Sequence, residues 1–246
     1  MPPRKILVGT KRDSDWVSFL QEYLEDLPAD LQFVHERSQI SHSFSSSPID
    51  LAFLCPEYFS LGLSQKIKAY QKSYPNFRLF YVDALRKEGD RDMEIAGVFQ
   101  QPPELMHFQR QIVAGLPLPV CLKVLVIDDE SQMAELLQDY LGGRQNPQFE
   151  IHYASEGELG LKKIDQLNPH IVILDIKMPK MSGREVYAEM HKKDCHIPVI
   201  FFFDAISGED LAGIRQIGKP VVIEKGSKQS SVSDMASMIK QCVYFS

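Results

Sequence analysis

Ten short apolar runs, separated by segments of helical periodicity, constrain this chain more than any other feature. In the first half they are Ile6–Val8, Leu31–His35, Leu51–Leu54, Arg78–Val82 and Gly97–Phe99. In the second they are Val124–Ile127, Glu150–Tyr153, Ile171–Leu174, Val199–Phe203 and Val221–Ile223. Most are apolar almost throughout, whereas a strand with one wet face would alternate. Between them, Trp16, Phe19, Leu20, Tyr23, Leu24 and Leu27 share one helical stripe, as do Met133, Leu136, Leu137, Tyr140 and Leu141. Alternation of this kind predicts parallel sheets covered by helices on both faces. Five strand–helix repeats in each half predict two α/β domains of one plan, as internal duplication would give.

The expected boundaries are a first domain at 1–115, a linker at 116–121 and a second domain at 122–246. Ala114–Val120 (AGLPLPV) carries one glycine, two prolines and no helical stripe, the composition of a short, stiff connection. At about 100–200 residues per domain, a chain of 246 holds one large domain or two small ones, and the repeated plan points to two. Ser41–Pro48 (SHSFSSSP) is polar and serine-rich, and is expected to form a loop in place of a regular second helix. The last helix is expected at about Ser231–Cys242.

Charge and cysteine usage exclude several classes. Residues 1–118 carry 13 Lys/Arg and 15 Asp/Glu; residues 119–246 carry 14 and 18. Neither half has the basic excess of a nucleic-acid binder. Cys55, Cys121, Cys195 and Cys242 have no metal-ligand spacing and read as reduced thiols. No apolar run reaches the ~18 residues of a membrane span. The opening MPPRKILVGTKRDSDW lacks the pattern of a secretory leader, so a cytoplasmic location is expected, without membrane partners.

Four polar residues stand at strand ends in the second half. Asp128 and Asp129 follow Val124–Ile127, Asp175 follows Ile171–Leu174, and Lys225 lies two residues past Val221–Ile223. In a parallel sheet these positions share the carboxyl edge, where such sheets bind ligands. Clustered carboxylates repel one another, and a hard cation such as Mg²⁺ offsets that repulsion. A carboxylate there can also attack phosphorus, with Lys225 steadying the phosphoryl oxygens. For Asp128 and Asp129 alone, capping of the next helix is an equal reading.

These residues sit in stretches that resemble the receiver domains of bacterial two-component response regulators. VLVIDDE is similar to the family's first strand and acidic pair. Asn168–Gly183 (NPHIVILDIKMPKMSG) is similar to its phosphorylation-site signature, down to Met178, Pro179 and Gly183. HIPVIFFFDA resembles its fourth strand, and Gly218 to Lys225 has its glycine-to-lysine spacing. The resemblance covers Lys123–Ser246 and implies a flavodoxin-like sheet of order 2-1-3-4-5. It implies phosphoryl acceptance at Asp175, pairing of Lys225 with Asp175 or its phosphate, and Mg²⁺ on Asp129, Asp175 and the Lys177 backbone carbonyl. Asp128 would hold a metal-bound water. The implied donor is a histidine kinase or a phosphotransfer protein.

Three positions depart from the family. Where it has Thr or Ser after strand four, this chain has Asp204, or Phe203 if the register slips by one. Asp204 either enters the site, adding charge beside a phosphoryl group, or caps the next helix. Gly226 replaces the usual proline after Lys225, and Val222 stands where Tyr or Phe is common.

Residues 5–115 resemble the same template without its chemistry, a degenerate pseudo-receiver. Gly9 and Thr10 fall at the acidic pair, Cys55 at the acceptor, Asp83 at the hydroxyl position and Gln101 at the lysine. Cys55 reads as a buried thiol, and Asp13 and Asp15 as caps of the helix near Trp16. The whole reads as a tandem-receiver response regulator signalling through protein contacts, with its first half a docking or dimerisation surface. A non-phosphorylated scaffold of two receiver folds is the alternative. An enzyme is not expected: phosphatases with a strand-end aspartate need a second acid two residues on, where Lys177 stands.

Overall fold

Each strand run becomes a strand because its alternate residues find apolar partners on opposite faces of a sheet. The computed structural model describes residues 3–11, 14–24, 29–83, 93–142, 147–227 and 231–246. Two units are resolved, one running to Pro117 and one from Leu118 to Tyr244.

In the first unit, strands β1 (Arg4–Gly9), β2 (Ala29–Val34), β3 (Leu51–Leu54), β4 (Arg78–Val82) and β5 (Ile95–Phe99) pair in the order β2-β1-β3-β4-β5. All the pairings are parallel. Helices α1 (Asp15–Leu24), α2 (Arg37–Ser46), α3 (Leu61–Ser73) and α4 (Leu105–Gly115) accompany them, with a 3-10 turn at Pro56–Tyr58. On one face Ala52, Leu54, Leu79 and Tyr81 meet Ile40, Phe44, Leu63 and Ile67. On the other, Trp16, Phe53, Phe99 and Phe108 form an aromatic cluster. Leu27, the end of the α1 stripe, and residues 84–92, where the repeat calls for a crossover helix, lie outside the described residues.

Helix α2 corrects the expectation of a loop at Ser41–Pro48. Ile40 and Phe44, one turn apart, are buried in the core. Ser43 Oγ donates to the Gln39 carbonyl (3.0 Å) and Ser46 Oγ to the Ser43 carbonyl (3.2 Å), so the serines satisfy themselves inside the helix. Burying two large side chains, about 1.5–3 kcal/mol each, outweighs serine's few tenths of poor helix propensity.

In the second unit, β6 (Cys121–Ile127), β7 (Gln148–Ala154), β8 (Ile171–Leu174), β9 (Val199–Phe203) and β10 (Val221–Glu224) run in the order β7-β6-β8-β9-β10. This is the expected 2-1-3-4-5 arrangement, again wholly parallel. Helices α5 (Gln132–Leu141), α6 (Gly157–Leu167), α7 (Gly183–Lys192), α8 (Gly208–Ile217) and α9 (Val232–Phe245) complete the unit. Val124, Val126, Ile171, Ile173 and Ile200 pack with Leu137, Met235 and Ile239 on one face. Leu125, Ile127, Val172, Leu174 and Phe201 pack with Ile164, Val186 and Ile214 on the other. Both residues of each apolar pair are therefore buried, which explains why the strands do not alternate in polarity. Among the described residues no helix is long and apolar enough to cross a membrane.

Candidate functional site

Register brings the second unit's strand ends to one level. Ile127 pairs with Leu174, Leu174 with Phe201, and Phe203 with Glu224. The next residues extend the ladder by one bond each. Asp175 N–H donates to Ile127 O (2.9 Å), Lys225 N–H to Phe203 O (2.7 Å) and Asp128 N–H to Ala154 O (3.1 Å). The backbone thus aims three side chains at one point on the carboxyl edge.

There Lys225 Nζ lies 3.3 Å from Asp128 Oδ2 and 3.3 Å from Asp175 Oδ1. The remaining oxygens are held by backbone: Asp128 Oδ1 accepts Glu130 N–H (2.9 Å) and Asp175 Oδ2 accepts Lys177 N–H (2.7 Å). The carboxylate side chains are 5% and 7% exposed, that of Lys225 21%. Lys225 Nζ also stands 5.6 Å from the centre of the Phe202 ring. Burial pushes the Asp175 carboxyl above its ordinary value; the pull of Lys225 and the Lys177 amide opposes this, and Asp128 adds to it. At Lys225, burial pulls the ammonium down, but the two carboxylates outweigh it and leave it above its ordinary value.

The loop carrying Asp175 closes because position 183 is glycine. A Cβ there would stand 2.0 Å from the Asp175 carbonyl oxygen. Instead Gly183 N–H donates to Ile176 O at 3.0 Å. Helix α7 then starts on a capping box between Ser182 and Glu185.

Asp129 is exposed beside the buried pair and borders, with Lys177, Met178 and Arg184, an open groove of about 1050 Å³. Among the described residues no three His, Cys, Asp or Glu side chains gather as a metal cage. Mg²⁺ does not need one, since it takes one or two carboxylates and fills its shell with water and phosphate. Asp128 and Asp175 already share one cation, the Lys225 ammonium, so their hard oxygen pair fits such an ion. Receiver domains generally bind Mg²⁺ at the phosphorylation site.

Asp204 does not cap α8: that role falls to Ser207, whose Oγ accepts Asp210 N–H at 3.0 Å. Asp204 Oδ2 instead lies 3.7 Å from Lys225 Nζ, its side chain 84% exposed. Gly226 takes φ +79°, which the proline ring, locked near −65°, cannot adopt. Val222 is half-buried in β10.

The first unit repeats the frame with other side chains. Gly9 pairs with Leu54, and Cys55 N–H donates to Gly9 O (2.9 Å), the counterpart of the Asp175–Ile127 bond. Thr10 and Lys11 therefore stand level with Asp128 and Asp129, one residue beyond the expected Gly9 and Thr10. Thr10 is wholly buried, with no hydrogen-bond partner for its hydroxyl among the described residues. Cys55 is buried, and burial pushes its thiol up, away from the reactive thiolate. Lys11 pairs with Glu57 at 3.0 Å in solvent. Leu54 pairs with Tyr81 as Leu174 pairs with Phe201, which sets Asp83 level with Phe203, not with Asp204. Asp83 has φ +56° and accepts the Ser14 hydroxyl at 2.8 Å. Gln101 is exposed past β5. Asp15 lies in the first turn of α1, where Ser14 Oγ accepts Trp16 N–H at 3.3 Å; Asp13 is outside the described residues.

The lysine-bridged aspartates at the carboxyl edge of a 2-1-3-4-5 sheet agree with the comparisons. Residues 124–237 match the model of the response regulator receiver domain, and this part of the chain is such a domain. It is homologous to the response regulators of two-component systems, whose receivers are phosphoacceptors. The alkaline phosphatase synthesis transcriptional regulatory protein PhoP of Bacillus subtilis is 31% identical over 40% of this chain and 42% of its own. A protein-glutamate methylesterase/protein-glutamine glutaminase of Koribacter versatilis is 35% identical over 40% of this chain and 25% of its own. The chain thus spans under half the length of these relatives. A solved putative two-component system response regulator/GGDEF domain protein covers 98% of this chain and 99% of its own, at 13% identity and a TM-score of 0.45.

Proposed function

We propose that the second unit accepts a phosphoryl group on Asp175 from a histidine kinase or phosphotransfer protein, with Mg²⁺, and signals through protein contacts. The observation that carries this is the shared ammonium: Lys225 lies 3.3 Å from both Asp128 and Asp175, in a pocket that buries both acids. Asp175 is the nucleophile. Lys177 N–H holds one of its oxygens, which orients the carboxylate towards a donor phosphorus. Asp128 and Asp175, with Asp129 and the Lys177 carbonyl alongside, would hold Mg²⁺, which neutralises phosphoryl oxygens. Lys225 supplies the remaining positive charge. Added charge at Asp175 then biases a two-state surface around α8, β10 and α9.

The first unit serves as a pseudo-receiver, a docking or dimerisation surface of the same cytoplasmic protein. Thr10, Lys11 and Cys55 offer neither an acid pair nor an acceptor carboxylate, and Gln101 stands at the level of Lys225. One observation favours a second reading, a non-phosphorylated scaffold: Asp204 already engages Lys225 at 3.7 Å. Acetyl phosphate and Mg²⁺, followed by intact-protein mass and peptide mapping, separate the two. The phosphoacceptor reading expects one phosphoryl adduct on the peptide containing Asp175, lost with EDTA and in Asp175→Asn. Adducts that persist in Asp175→Asn, or none at all, refute it.

A further inference from the structure

We propose that Asp204 is a built-in competitor of the phosphoryl group, a positioning residue that slows phosphorylation of Asp175 and shortens its lifetime. The inference rests on the phosphoacceptor reading above. Among the described residues, Lys225 is the cation that both buried carboxylates share, and Asp204 occupies its outer side at 3.7 Å. The carboxylates of Asp204 and Asp175 touch the same ammonium, so they lie within about 7 Å, the two contacts laid end to end. Three carboxylates thus divide one compensating charge.

Transfer forms a bond between an Asp175 oxygen and phosphorus. The donor's own bond to phosphorus breaks, phosphorus–nitrogen in a phosphohistidine and phosphorus–oxygen in acetyl phosphate, and the leaving group departs with the electron pair. The product places a phosphoryl group, more negative than the carboxylate it replaces, where Lys225 must serve it. Lys225 then either abandons Asp204 or serves both poorly. In each case the full charge of Asp204 stands beside the new one, since little protein covers its side chain. The same exposure lets Asp204 turn away at small steric cost, so the competition is electrostatic and screened by salt. Hydrolysis, in which water attacks phosphorus and the bond to Asp175 breaks, relieves the repulsion and is favoured by it.

Asp204→Asn keeps the shape and removes the charge; Asp204→Glu keeps the charge. The position is exposed, so the fold is not at stake in either variant. With acetyl phosphate and Mg²⁺, Asp204→Asn is expected to take up phosphoryl about tenfold faster and to hold it about tenfold longer. That is the effect of one unit charge at about 7 Å with an effective dielectric between a protein surface and water. Added KCl should speed uptake by wild type and by Asp204→Glu, and leave Asp204→Asn nearly unchanged, a response that a merely structural role would not give. Equal uptake and lifetime for wild type and Asp204→Asn, both labelled on Asp175, overturn the competitor role and leave the phosphoacceptor reading standing. Slower uptake by Asp204→Asn overturns it as well, since Asp204 then assists transfer. Absence of label in every variant overturns the phosphoacceptor reading and this inference with it.

Discussion

Replacing Lys225 with methionine removes the shared ammonium while keeping an unbranched stem near the Phe202 ring. Each contact at 3.3 Å corresponds to about 5 kcal/mol of gross attraction at an effective dielectric of about 20. Desolvation of the three groups cancels most of that, but the variant does not recover the cancellation, because both carboxylates stay buried and unpaired. Breaking a buried pair costs about 3–5 kcal/mol. Lys225 is still 21% exposed, so water relieves part of the loss and the low end applies, about 3 kcal/mol. For a unit of this size that lowers the melting temperature by about 10 °C. The assay is thermal unfolding in EDTA, followed by far-ultraviolet circular dichroism. Fluorescence of Trp16, the only tryptophan and part of the first unit, serves as an internal reference. Millimolar Mg²⁺ should restore part of the loss by supplying another cation to Asp128 and Asp175. A Lys225→Met protein that melts with wild type in EDTA would refute the shared-ammonium account.

Other expectations follow from neighbouring contacts. Burial raises the Asp175 carboxyl above 3.8, so the folded state binds that proton more tightly than the unfolded chain does. The stability this contributes is present below the unfolded value and is lost as pH rises through the folded one. Relative to wild type without Mg²⁺, Asp175→Asn should therefore gain stability from acid to neutral pH in urea titrations; a constant difference would contradict the shift. Gly183→Ala forces a Cβ towards the Asp175 carbonyl, 2.0 Å away before relaxation, and should cost about 2 kcal/mol or more and most of the acetyl phosphate labelling. In the first unit Tyr70 Oη accepts the buried Ile49 N–H at 2.5 Å. Tyr70→Phe should lower that unit's stability by about 1–3 kcal/mol, read by Trp16 fluorescence, and leave labelling of Asp175 unchanged.

The sheets were legible because strands buried on both faces need apolar residues throughout, and few other elements produce that pattern at this length. The convergence of Asp128, Asp175 and Lys225 was legible for the same reason: parallel strands share an edge, so residues after strands must meet there. Helix α2 was not, because serine's preference for turns is visible in sequence, whereas the pocket that receives Ile40 and Phe44 exists only after folding. The amide of Lys177 could not be read from a side-chain list, since the backbone makes that contact. The Lys11–Glu57 pair joins two strand ends of the first sheet, and no motif marks it. Asp204 was legible only as a choice between two directions. Ser207, three residues on, decided it by taking the cap.

The most direct measurement is fluorine NMR of the full chain with beryllofluoride, which mimics a phosphoryl group on a carboxylate. The account predicts bound fluoride resonances that require Mg²⁺, persist in Cys55→Ala, and vanish in Asp175→Asn. Bound resonances that survive Asp175→Asn, or form equally well without Mg²⁺, would contradict it.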